Sequence, residues 1–250
     1  EAAAQQIYKE ILDFANYAFN KAHAVCYAKV TYDTAYLKCH YPKEYMAALL
    51  SSVLNRTDKA AEYIADCKEM GIALLHPDVN ASEDRFTVET EGIRFGLGAV
   101  KNIGIGLVRQ MVEERERNGA FSSLENFAER MQETDLNKRA VENLIKCGAM
   151  DCFGLNRAQL LFIYEGVLDG AADRRRRTLS GQLALFDMLP EHEQPATPVP
   201  ELPELPKRER MAMEKETIGL YLSGHPMDEY RKLLRERDIF TLGRILRSFE

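Results

Sequence analysis

The stretch Phe95-Gly96-Leu97-Gly98-Ala99-Val100-Lys101-Asn102-Ile103-Gly104-Ile105-Gly106 decides how the chain is read. Its last four residues alternate apolar and glycine between two helical stretches, 97–102 and 107–117, the signature of a helix-hairpin-helix. Glycines let such a backbone turn tightly and come close to a phosphate, whose oxygens accept from the N–H groups of the hairpin and second helix. Lys101 and Arg109 would add cationic contacts, and with Asn102, Gly104 and Gly106 they form a candidate backbone-binding set. Contacts of this kind touch phosphates rather than bases, so binding is expected to be sequence-independent and salt-sensitive. Close packing of two helices would also place glycines here.

The reading extends outward on both sides. Downstream, residues 137–161 contain Leu144-Ile145-Lys146-Cys147-Gly148-Ala149-Met150-Asp151 between two helical stretches. This second unit lacks the second glycine and is expected to support the first rather than touch phosphate. Upstream, Arg85-Phe86-Thr87-Val88 and Gly92-Ile93-Arg94-Phe95 flank an acidic turn and predict a short strand pair. Residues 1–80 read as helical, with Ile7, Ile11, Phe14 and Ala18 spaced as one buried helix face. The fold class is therefore mainly α with a small β-hairpin.

Beyond residue 170 the composition changes. Arg174-Arg175-Arg176-Arg177 opens a stretch in which six of the nine prolines fall between Pro190 and Pro206, a composition expected of a linker. Helix is expected to resume at Met211, run to Leu222 and stop at Ser223-Gly224-His225-Pro226. Four zones follow: 1–80, 81–170, 171–210 and 211–250. The arginine run is either a nucleic-acid contact or a solvated charge cluster.

The 250 residues are 46% hydrophobic and 29% charged, enough for one or two cored domains and unlike collagen or disordered chains. No run of 18 uncharged apolar residues predicts a membrane span. The net charge of -6 argues against one large basic surface without forbidding local ones. Five cysteines, Cys26, Cys39, Cys67, Cys147 and Cys152, show no C-x-x-C spacing, so reduced buried thiols are expected rather than a metal site. The chain opens on a helical pattern at Glu1 and is expected to be an internal piece of a longer protein.

A second motif is Phe19-Asn20-Lys21-Ala22-His23-Ala24-Val25-Cys26-Tyr27. With Asn20 as cap, Lys21 and His23 fall in the first helical turn, where free N–H groups, an ammonium and an imidazole would converge on an anion such as a triphosphate. Tyr27 lies four residues after His23 on the same face. The plainer alternative makes Lys21 a solvated charge and Tyr27 a half-buried aromatic.

The string from Phe19 to Ser52, FNKAHAVCYAKVTYDTAYLKCHYPKEYMAALLSS, closely resembles the fingers region of the alpha subunits of bacterial DNA polymerase III, the C-family replicative polymerases. Pro77-Asp78-Val79-Asn80-Ala81-Ser82, the block from Phe95 to Gly104, and Met213 to Pro226 resemble later segments of the same family, in order. Ala22 departs from the family's small hydroxyl residue and removes one possible hydrogen bond.

The resemblance implies a helical end of the fingers, a tandem helix-hairpin-helix domain and a helical approach to an OB-type domain. It implies that Lys21 and His23 face the triphosphate of an incoming deoxynucleotide, with Tyr27 near its sugar and base. Gln182-Leu183-Ala184-Leu185-Phe186 fits the Gln-x-x-Leu-Phe pattern with which bacterial partners dock on the sliding clamp, the beta subunit. There Gln182 would bond the pocket rim, and Leu185 and Phe186 would fill an apolar cavity. A short helix folded back on the domain is the alternative.

The expected partners are primer-template DNA, deoxynucleoside triphosphates, the clamp and other replisome subunits, in the nucleoid region of the cytoplasm. Magnesium is implied for the intact enzyme, held by palm aspartates that this stretch lacks; Asp33, Asp58, Asp66 and Asp78 are scattered. The fragment alone is expected to be inactive. The rival reading is a clamp-tethered helix-hairpin-helix binding module that is not an enzyme.

Overall fold

A computed structural model describes residues 2–18, 21–54, 56–179 and 197–236. The chain divides into two compact units, 1–46 and 47–250. In the first, helix α1 spans Ala2–Ala18 and α2 spans Lys21–His40. Ile7 and Ile11, read from sequence as part of a buried face, are both more than half exposed. The spacing gives an apolar stripe, but at Ile7 and Ile11 it is not covered. Helix α2 likewise buries no residue. Its aromatic residues pair at i, i+4 instead, His23 with Tyr27 and Tyr36 with His40, at centroid distances of 4.4 and 4.2 Å. Helix α3, Pro42–Ser52, opens on proline, which fits the first helical position because no N–H is needed there.

The second unit is built on a small sheet beside a helical layer. Helix α4, Thr57–Glu69, leads into strand β1, Leu74–Leu75. Strands β2, Thr87–Val88, and β3, Ile93–Arg94, form the expected antiparallel pair across the acidic turn. Strand β1 adds in parallel to β3, giving the order β1-β3-β2, a partner the sequence reading did not include. Ser51 Oγ accepts from the Phe86 N–H at 3.1 Å, and Phe86 packs edge-on against Phe95 at 4.8 Å.

The loop between β1 and β2 is held by side chains rather than by a ladder. Asp78 Oδ1 accepts from Asn80 N–H, Ser82 Oγ donates to the Phe95 carbonyl, and Arg115 donates to the carbonyls of Val79 and Ser82. A buried loop must find such partners for its backbone. The helix expected over 97–102 is a single 3-10 turn, Leu97–Ala99. Gly96 and Gly98 lie against the backbone of Arg85 and Asp84, where a Cβ would overlap main-chain atoms, so this segment is pinned to its neighbour instead of coiling further.

Helices α5, Ile105–Asn118, α6, Leu124–Arg130, α7, Lys138–Lys146, and α8, Arg157–Leu179, complete the layer, with α6 and α7 packed on α8. Ser123 and Asn137 cap α6 and α7 by accepting from Asn126 N–H and Ala140 N–H. Arg174-Arg175-Arg176-Arg177 forms the last turns of α8. Arg174 pairs with Glu129 and Arg176 with Asp173, while Arg175 donates to the Gln132 carbonyl.

The described half of the proline stretch, 197–206, does not hang free: Asn156 and Gln159 at the start of α8 donate to the carbonyls of Leu202 and Pro200, at 2.8 and 3.0 Å. Helix α9 begins at Lys207 and ends at Ile218, four residues short of the expected Leu222, because Gly219 takes the left-handed cap at φ 75°. A 3-10 turn, Asp228–Tyr230, and helix α10, Arg231–Glu236, follow.

Helix α9 packs on α7, and a buried charge pair ties it to the start of α8. Arg157 and Glu214, 2% and 0% exposed as side chains, meet at 3.2 Å. Arg157 also bonds Asp151 at 2.9 Å and the Lys146 carbonyl, while Glu214 accepts from Leu222 N–H, Ser223 N–H and the Ser223 hydroxyl. Burial pushes the Glu214 carboxyl upward, but the Ser223 donors, Arg157 and Leu222 N–H outweigh it and hold the group below the usual carboxylate range.

A depressed carboxyl stabilises the fold fully above its unfolded pKa of about 4.3 and loses that contribution as pH falls through its folded value. Urea melts from pH 7 to 3 should therefore show an acid loss of stability that is shallower in Glu214→Gln. Arg157→Leu, which strands the carboxylate, should cost about 3–5 kcal/mol at pH 7. An acid limb identical in the Glu214→Gln variant would refute the assignment.

Candidate nucleic-acid interface

The structure brings Lys101, Asn102, Gly104 and Gly106 into one turn at the start of α5, with Arg109 one helical turn further on. Ile103, 7% exposed, anchors this turn in the core while its neighbours on both sides face solvent. The tight point of the turn is Asn102 rather than a glycine. Its φ of 61° lies in the left-handed region, which asparagine tolerates better than most side chains.

The two hairpin glycines therefore need another explanation. Gly104 is the N-cap of α5 with φ -72° and ψ 140°, an extended conformation open to any residue. Gly106 lies inside the first helical turn. A Cβ added at either would meet nothing within 4 Å. Among the described residues, neither backbone strain nor packing demands glycine at these positions. What their bareness leaves is an uncovered helix N-terminus. Val108 N–H closes on the Gly104 carbonyl, and no side chain caps the turn. The N–H groups of Ile105, Gly106 and Leu107, ahead of that bond, point out where an anionic oxygen would be accepted.

The cations are partly committed. Lys101 Nζ donates to the Glu216 carbonyl at 2.9 Å, and its own N–H donates to the Thr217 carbonyl at 2.9 Å. Asn143 Nδ2 donates to the Lys101 carbonyl at 2.6 Å. Arg109 is 64% exposed and reaches Asp84 only at 3.4 Å, a loose surface pair. Sequence reasoning missed Asn143 and Thr217, which lie far along the chain from the hairpin and carry no local pattern.

The second joint, between α7 and α8, has the opposite character. Gly148 sits at φ 86°, and a Cβ there would overlap the Arg157 guanidinium. The space before this glycine is filled by the chain's own buried cation. The first turn of α8 is closed as well, by Asn156 Oδ1 on Gln159 N–H. The two joints are related in plan, and only the first presents bare backbone to solvent.

Of the remaining candidates, Lys21, His23 and Tyr27 all lie on the exposed surface of α2, with Tyr27 61% exposed. Gln182, Leu185 and Phe186 lie outside the described residues. Among the described residues no group of three or more His, Cys, Asp or Glu is placed to hold a metal ion, and no helix is long and apolar enough to cross a membrane. Cys67 and Cys147 are buried as expected, whereas Cys26, Cys39 and Cys152 are exposed. Burial pushes the Cys147 thiol up to about 12, which keeps it protonated at neutral pH.

Residues 71–160, from β1 through the start of α8, match the model of a helix-hairpin-helix motif family. Sequence comparison extends the match to nearly the whole chain. It is 47% identical over 230 residues to the DNA polymerase III subunit alpha of Thermus aquaticus, covering 92% of this chain and 18% of that protein. It is 41% identical over 240 residues to the same subunit of Saccharopolyspora erythraea, and 40% over 236 residues to that of Vibrio cholerae. These cover 94% and 92% of this chain and 20% of each relative. The chain is homologous to one region of the DNA polymerase III alpha subunit. It spans about a fifth of the length of the curated relatives it matches.

The geometry separates the two kinds of glycine by experiment. Gly148→Ala should destabilise the fold by about 2 kcal/mol or more, through left-handed strain and displacement of a buried cation. Gly104→Ala and Gly106→Ala should leave stability unchanged or raise it, by up to about 1 kcal/mol at Gly106, where alanine favours helix. Thermal melts of the three variants decide it. A large loss at Gly104 would show that the hairpin glycine is structural.

Proposed function

We propose that this chain is a DNA-holding region of a replicative DNA polymerase, gripping duplex DNA by its phosphate backbone through the hairpin at Ile103–Gly106. The observation that supports this most is the pair of glycines at which an added side chain would meet no described residue. The N–H groups of a bare, uncapped helix N-terminus donate to a phosphate oxygen most closely where no Cβ stands in the way. Lys101 and Arg109 supply nearby positive charge. Homology to the polymerase subunit favours this reading over a free-standing binding module.

The finer roles follow the family. In a complete polymerase, Lys21 and His23 would face the triphosphate of the incoming nucleotide and Tyr27 its sugar. The exposure of all three on α2 is compatible with a ligand supplied from outside that helix. Gln182, Leu185 and Phe186 would dock on the sliding clamp and keep the enzyme on its template. The magnesium ions of nucleotidyl transfer would be held elsewhere in the longer protein, and the activity, the nucleotide and the nucleoid location belong to that whole protein.

The test is a titration with two duplexes of unrelated sequence at several salt concentrations. Wild type should bind both alike, with log K falling linearly in log salt, at about -0.9 per phosphate engaged. Gly104→Val together with Gly106→Val should weaken both by roughly tenfold, comparable to losing one charge-assisted hydrogen bond. A sequence-selective loss, or none, would overturn the backbone-binding role. For the clamp, a complex with the beta subunit should disappear in Gln182→Ala with Phe186→Ala, and its persistence would remove that segment from the account.

A further inference from the structure

Apart from Ser82, the buried polar side chains of the described residues gather at one place. Asn143, Arg157, Glu214 and Thr217 are 5%, 2%, 0% and 1% exposed, and all lie where α7, α8 and α9 meet. Burying such groups costs free energy unless each is bonded, so their concentration specifies a geometry at a cost in stability. What that geometry holds is Lys101. Its N–H and its ammonium reach the carbonyls of Thr217 and Glu216 at the C-terminal end of α9, and its carbonyl accepts from Asn143.

A lysine this exposed would ordinarily be left to solvent, since fixing its long side chain costs rotamer entropy. Here three of its polar groups are engaged. The next residue, Asn102, keeps its left-handed φ, a conformation that persists where the surroundings over-determine it. Glu216 is itself tied to Lys146 on α7 at 3.2 Å.

We propose that α9 is a positioning element for the hairpin: its terminal carbonyls fix Lys101, and the Glu214–Arg157 pair fixes α9. The residues after the proline stretch would then control the grip on DNA without touching it. The inference rests on the hairpin being the duplex-binding element.

The test uses Gly219, the left-handed cap of α9, whose N–H donates to the Lys215 carbonyl at 3.1 Å. Gly219→Val places a β-branched side chain at positive φ and disturbs the end of α9, leaving every hairpin residue in place. Gly219→Asn tolerates that conformation and is the conservative control. In the full chain, Gly219→Val should weaken duplex binding about fivefold, at the low end of coupling between sites in one protein. It should also speed hydrogen exchange at the Lys101 amide, while Gly219→Asn restores both. Should the valine variant melt near the assay temperature, the milder Gly219→Ala is held to the same criteria.

Loss of affinity in the hairpin-glycine double variant but not in Gly219→Val would overturn the positioning role alone. No loss in either would sink the hairpin reading and this inference together. Weakened binding with an unchanged Lys101 amide would also overturn it, because the effect would not pass through the proposed contact.

Discussion

A single buried guanidinium organises the second unit. Arg157 occupies the hollow left by Gly148, bonds the Lys146 carbonyl at the end of α7, and meets Glu214 of α9 inside the core. Taking both charges out of water is costly, and the pair persists because almost every lone pair and proton is matched: Asp151 on one side, the amides of Leu222 and Ser223 on the other. Through this one contact the joint between α7 and α8 is closed, α9 is attached, and the residue preceding the hairpin gains its two carbonyl partners.

The two helix joints thus divide the work. Both place a glycine where helices meet, but Gly148 is required by its own φ and by the arginine in front of it, whereas nothing among the described residues requires Gly104 and Gly106. An inward-facing joint filled by the protein's own cation has no room for a phosphate. An outward-facing one with an uncapped helix start leaves N–H donors that no described side chain caps. The same plan is closed by the chain's own arginine in one copy and left open to solvent in the other, and the difference is what fills the space before the glycine.

Much of this was legible in the sequence because it depends on local pattern. The helical joint at Ile103–Gly106 and the strand pair across the Glu89–Gly92 turn follow from spacing and turn chemistry. The rest depends on contacts between distant segments. Strand β1 is two residues of an unremarkable apolar run and exists only because β3 is there to pair with it. The helix expected over 97–102 gave way to backbone contacts of Gly96 and Gly98 that no pattern announces. The end of α9 moved because Gly219, not Gly224, takes the cap. Ile7 and Ile11 show the converse: periodicity identified an apolar face correctly, yet cannot say whether anything covers it.

The central claim is that the bare start of α5 meets the phosphate backbone, and amide chemical shifts of the isotope-labelled chain test it most directly. On addition of a short duplex of arbitrary sequence, the largest shifts should fall on the N–H groups of Ile105, Gly106 and Leu107 and should vanish as salt is raised. Shifts centred instead on Gly148 and the start of α8, or none at the hairpin while duplex is bound, would contradict the account.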